Sequence, residues 1–102
     1  MPRDVGTRIG ALLTYDSDTC LFLGYGVYEG DFIPPTTVGG LNKGFPNPRL
    51  KLDNGETVWG CEVWWGPEAE MKTIADRYEA KGGLKLVDIN DYRNGKDGQK
   101  AN

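Results

Sequence analysis

Residues 49–66 read Arg49-Leu50-Lys51-Leu52-Asp53-Asn54-Gly55-Glu56-Thr57-Val58-Trp59-Gly60-Cys61-Glu62-Val63-Trp64-Trp65-Gly66. Asp53-Asn54-Gly55 is the strongest turn signal in the chain, because Asn-Gly accepts the positive φ that a tight two-residue hairpin turn demands. Before the turn, Leu50 and Leu52 alternate with Arg49 and Lys51. After it, the period-2 pattern of a strand sets Thr57, Trp59, Cys61, Val63 and Trp65 on one face and Val58, Gly60, Glu62 and Trp64 on the other. All three tryptophans fall in this predicted hairpin, so core and candidate binding face are both sought in it.

Toward the amino terminus, a long loop over residues 30–48 holds Pro34, Pro35, Pro46 and Pro48 and has no apolar periodicity. Loops of that length tend to be functional or mobile. A strand is predicted over residues 20–29 and another over 8–15, the latter with Ile9, Ala11, Leu13 and Tyr15 on one face. Asp16-Ser17-Asp18-Thr19 joins them as a hairpin turn. Its Asp-x-Asp resembles the start of a calcium loop, but the glycine and closing glutamate of that loop are missing. Residues 1–7 form a loose arm.

Toward the carboxyl terminus, Pro67 suits the first helical position, and Glu68 and Glu70 suit the positive end of the helix dipole. Met71, Ile74, Ala75 and Tyr78 make one apolar stripe at helical spacing, and Gly82-Gly83 ends the helix. Residues 84–89 read as a last strand, apolar on both faces and so interior or barrel-closing. Residues 91–102 are a polar, frayed tail. The order β-β-loop-β-β-α-β makes one α+β domain of five short strands and one helix. The strands either close into a small SH3-like barrel, the preferred arrangement, or remain an open antiparallel sheet with the helix on one face.

Composition narrows the function. The chain of 102 residues suffices for one modest core, and its 15 glycines favour a turn-rich β fold. No apolar run approaches the roughly 20 residues of a membrane span, so a cytoplasmic protein is expected. The chain has no histidine, which removes the usual general base and the commonest metal ligand. Cys20 and Cys61, both in predicted strands, read as reduced thiols, and two cysteines cannot close a zinc site. No cofactor is implied. A net charge of −3 disfavours nucleic acid. Between Phe32 and Leu52, however, the only charges are Lys43, Arg49 and Lys51, whereas from Asp53 to Glu70 all are acidic. Such a division could steer a protein partner.

Gly24 and Gly26 share a predicted face with Phe22 and Tyr28, and Gly60 shares one with Glu62 and Trp64. If those faces coincide they form a glycine floor rimmed by aromatics; otherwise the glycines let the helix pack closely. Trp64 and Trp65 face opposite ways, so unless both faces are covered one is exposed, as at a binding hot spot. The candidate binding residues are Trp64, Glu62, Tyr28, Tyr25, Phe32, Lys43 and Arg49.

The segments Leu23-Gly-Tyr-Gly-Val-Tyr-Glu-Gly-Asp31 and Leu52-Asp-Asn-Gly-Glu-Thr-Val-Trp-Gly-Cys-Glu62 resemble parts of short uncharacterised proteins from bacterial and tailed-phage genomes. The resemblance implies no activity, only a setting in which small proteins bind and redirect a host component. The leading expectation is a non-enzymatic protein-binding module, an inhibitor or adaptor. The alternatives are a nucleic-acid-binding small barrel using Lys43, Arg49, Lys51 and tyrosine stacking, or an enzyme built on carboxylates such as Asp16, Asp18 or Glu62, for which the spacing shows no cluster.

Overall fold

The computed structural model describes residues 4–35 and 44–93. Its elements are β1 (Arg8–Tyr15), β2 (Cys20–Phe32), β3 (Asn47–Leu52), β4 (Thr57–Trp59), β5 (Trp64–Pro67), α1 (Glu68–Ala80), β6 (Leu84–Leu86) and α2 (Ile89–Arg93). The sheet runs β4-β3-β2-β1-β5, with β6 pairing in parallel to the start of β2. It is an α+β domain whose sheet does not close, so the open arrangement holds rather than the barrel.

The decisive departure from the expected hairpin lies within residues 57–66. The predicted single strand breaks at Gly60 into β4, which pairs with β3, and β5, which pairs with β1 at the opposite edge. Gly60 N still donates to the Pro48 carbonyl at 2.8 Å, one step past the Arg49–Trp59 pair, and a Cβ on Gly60 would stand 2.7 Å from Pro48 Cδ. A turn follows, with Glu62 N donating to the Trp59 carbonyl at 2.8 Å. Cys61 therefore sits in a turn, half-buried, while Cys20 begins β2 and is buried. Trp59 and Trp65, expected on one face, lie on different ones.

The central turn is longer by one residue than the two-residue type expected. Gly55 N donates to the Leu52 carbonyl at 2.9 Å and Leu52 N to the Glu56 carbonyl at 2.8 Å, leaving Asp53, Asn54 and Gly55 in the loop. Gly55 takes φ +95°, the left-handed residue that closes a three-residue hairpin. The β1–β2 turn forms as read, with the Asp16 carboxylate accepting from the backbone N–H of Asp18 and of Thr19, each at 2.8 Å. These bonds hold the Asp16 carboxyl below its usual range.

Strand alternation separates two cores. Ile9, Ala11, Leu13, Leu23, Leu50, Leu52 and Val58 lie on the face away from α1, where Val63 and Ile89 of α2 complete the cluster. Leu12, Cys20 and Phe22 face Met71, Ala75 and Tyr78 of α1. The predicted helical stripe is thus the buried one, with Ile74 half-buried beside it. Pro67 precedes the helix rather than opening it. Close approach of α1 to the sheet depends on Gly10, where a Cβ would lie 2.7 Å from Met71 Cβ.

Both ends of α1 are fastened. Arg8 bridges Glu68 at 3.0 Å and Asp53 at 2.7 Å, tying the helix start to β1 and the central turn. At the other end the Tyr78 hydroxyl donates to the Asp16 carbonyl, and Lys81 Nζ donates to the Ser17 carbonyl at 2.7 Å. The predicted last strand is shorter than expected: β6 has three residues, Leu86 is 77% exposed, and Ile89 instead begins α2 within the stretch expected to end the fold. Among the described residues no helix is long and apolar enough to cross a membrane.

Candidate functional site

Trp64 and Trp65 divide as the pleat requires. Trp65 pairs across from Ala11 and stacks on Tyr28, with ring centroids 5.7 Å apart and planes at 12°, beside the core away from α1. Trp64 pairs across from Leu12 on the α1 face and remains 62% exposed. Its ring meets Tyr15 edge-on at 6.3 Å and 76°, and Tyr15 is itself 54% exposed. Between this aromatic pair and α1 lies a cavity of about 370 Å³ lined by Leu12, Tyr15, Trp64, Met71, Ile74 and Tyr78, with Trp65 and Arg77 also in the wall. Arg77 makes no ion pair among the described residues. β5 ends the sheet here. Tyr15, Ile74 and Arg77 are absent from the candidate binding residues that the sequence suggests. Tyr15 reads as the last residue of the Ile9, Ala11 and Leu13 face, yet stands exposed beside Trp64, and Arg77 beside an apolar stripe looks like ordinary surface until the fold places Trp64 near it.

Of the remaining predicted residues, Glu62 lines a second cavity of about 480 Å³ with Trp64, Gly60 and Cys61, and the others lie apart from Trp64. Glu62 has a side chain only 3% exposed and is spent on structure: Arg93 donates Nε to Oε2 at 2.9 Å and Nη2 to Oε1 at 2.7 Å, and Trp59 N donates to Oε1 at 3.1 Å. The carboxylate in turn raises the Arg93 guanidinium above its ordinary pKa. Tyr28, besides stacking on Trp65, donates its hydroxyl to Asp31 at 2.7 Å, which pushes its pKa up. Tyr25 packs edge-on to Phe22 at 5.1 Å on the α1 side, and burial raises its pKa. Phe32 lies beneath the Arg49 guanidinium, 3.8 Å from the ring centroid, while Arg49 Nε donates to Glu29 at 2.9 Å. Lys43 lies outside the described residues.

The glycine floor does not assemble. A Cβ on Gly26 would stand 2.0 Å from the Lys51 carbonyl oxygen, so this glycine serves the close crossing of β2 and β3. Gly60 is under the Pro48 ring. Nor do the tyrosines share the Arg49–Lys51 face that the nucleic-acid alternative needs, since Tyr25 and Tyr28 pack with the two cores. Of the carboxylates considered for catalysis, Asp16 caps a turn and Glu62 holds Arg93. Burial raises the pKa of both Cys20 and Cys61, the nearby Glu62 adding to the effect at Cys61, which keeps these thiols protonated near neutral pH. Among the described residues no group of three or more His, Cys, Asp or Glu is placed to hold a metal ion. No family model matches the chain, and no curated protein or solved structure does either.

Proposed function

We propose that this protein is a non-enzymatic binding module that engages another protein through the groove between α1 and the β1–β5 edge, acting as an inhibitor or adaptor. The observation that carries the reading is Trp64, 62% exposed beside an open apolar cavity. Exposing a ring of that size to water is unfavourable, and tryptophan is the residue most enriched at interface hot spots. The lining defines the partner's chemistry. An apolar side chain fills the space between Trp64 and Ile74, and a neighbouring carboxylate meets Arg77.

The test is capture from a bacterial lysate with wild type and Trp64→Ala, with and without nuclease, followed by titration of the purified captured protein into labelled wild type. Capture that depends on Trp64, survives nuclease and shifts the amide signals of Tyr15, Trp64 and Ile74 is the expected result. Capture indifferent to Trp64→Ala, or abolished by nuclease, would overturn the reading.

A further inference from the structure

A second site, independent of the groove, lies on the β3–β4 face. Arg49 and Lys51 project from the same side of β3, and their partners on β4 are Trp59 and Thr57. Arg93 of α2 joins them, and with Glu29 these side chains line one cavity of about 510 Å³. Two of the three cations are held in place. Arg49 is clamped between the Glu29 carboxylate and the Phe32 ring. Arg93 is fixed by its two bonds to Glu62 and by Nη2 donating to the Thr57 carbonyl at 2.9 Å. These clamps use Arg49 Nε and two nitrogens of Arg93. They leave both Arg49 terminal nitrogens and Arg93 Nη1 without a bond among the described residues. Lys51 is exposed and has no hydrogen bond or ion pair among those residues.

We infer that this cavity binds a phosphate group, free or as a monoester. Three cationic groups with donors to spare face one space, and a phosphate monoester offers three acceptor oxygens and about −1.5 to −2 charge at neutral pH. Guanidinium donors suit phosphate oxygens bidentately, and Lys51 adds a mobile point charge. Because Glu29, Phe32 and Glu62 already immobilise the two arginines, binding orders only the lysine. Among the described residues Glu29 is the one carboxylate in the lining and sets the limit on affinity; Glu62 lies behind Arg93, outside the lining.

The experiment is a two-dimensional amide NMR titration of the full chain at constant ionic strength. Its probes are inorganic phosphate, phenyl phosphate and a short single-stranded oligonucleotide lacking terminal phosphates. Saturable shifts of the Trp59 indole and of the Lys51 and Thr57 amides are expected with both inorganic phosphate and phenyl phosphate. Tighter binding of phenyl phosphate would identify the natural ligand as a phosphorylated organic molecule, and tighter binding of inorganic phosphate would identify it as the free ion. Lys51→Glu should weaken the better probe about tenfold or more, the worth of one charge-assisted hydrogen bond, and Lys51→Arg should retain it. Linear, unsaturable shifts, or saturable binding untouched by Lys51→Glu, would overturn the assignment. So would an oligonucleotide that binds as tightly per phosphate as phenyl phosphate.

Discussion

On the face of the sheet away from α1, Ile9, Leu50 and Val58 are wholly buried among other aliphatic side chains, and Ile89 of α2 seals them. On the α1 face the buried residues are Leu12, Phe22, Met71 and Tyr78, and the packing stops short of the β5 edge, where Trp64 and Tyr15 remain in water. One face uses compact aliphatic side chains and ends in a closed core. The other uses aromatics and a methionine, which fill space irregularly and leave a groove. The side that gives up packing is the side on which a partner is proposed to dock.

Large-to-small substitutions probe that contrast most strongly. Leu50→Ala is expected to cost about 2–5 kcal/mol in urea unfolding, and Trp59→Ala, at 6% exposure, about 3–5 kcal/mol. Met71→Ala should fall at the low end of the range, about 2 kcal/mol, because the adjoining cavity lets its surroundings relax. If Met71→Ala proved as damaging as Leu50→Ala, the α1 face would be as tightly packed as the other and the contrast would fail.

Gly10→Ala comes next. The new Cβ would meet Met71 Cβ at 2.7 Å, an atom rooted in the helix backbone, so α1 must move. About 1–3 kcal/mol of stability should be lost, with altered signals at Trp64 and Tyr15 as the groove changes shape. A neutral Gly10→Ala would show that α1 floats on the sheet.

A smaller effect follows acidification. Asp16 and Asp53 have folded-state pKa values held below their ordinary ones, Asp16 chiefly by the Thr19 and Asp18 amides and Asp53 chiefly by Arg8. Their contribution is therefore present above the unfolded value of about 4 and is lost as pH falls through the folded values. Melting temperature should decline below about pH 4, and Arg8→Met should shallow that decline by removing the Asp53 part. Identical acid profiles for the two proteins would show that the Arg8 bridge does not couple to folding.

Trp64→Ala should have the smallest effect on stability, within about 0.5 kcal/mol, while removing partner capture. Circular dichroism melts of Trp64→Ala beside Trp59→Ala separate the two roles. A larger loss of stability from Trp64→Ala would make Trp64 a core residue and sink the proposed surface.

Much of this architecture was legible locally. The helical stripe of Met71, Ala75 and Tyr78, the Asp16–Thr19 turn, the position of the central turn and the α+β order all follow from short-range periodicity and turn chemistry, which act between residues a few positions apart. So did the placing of the two adjacent tryptophans on opposite faces, which the pleat forces. Which of them is exposed, and beside what, was not legible. Alternation through residues 57–65 is equally consistent with one strand, and nothing near Gly60 announces that the Pro48 ring will stand against it. In the fold the strand divides at the turn after Trp59, β4 and β5 take opposite edges, Glu62 turns inward to Arg93, and Trp64 comes to Tyr15 and Arg77. Periodicity sets what each segment can pair with. Only the packing of distant segments, each excluding the others from the same space, decides what it does pair with.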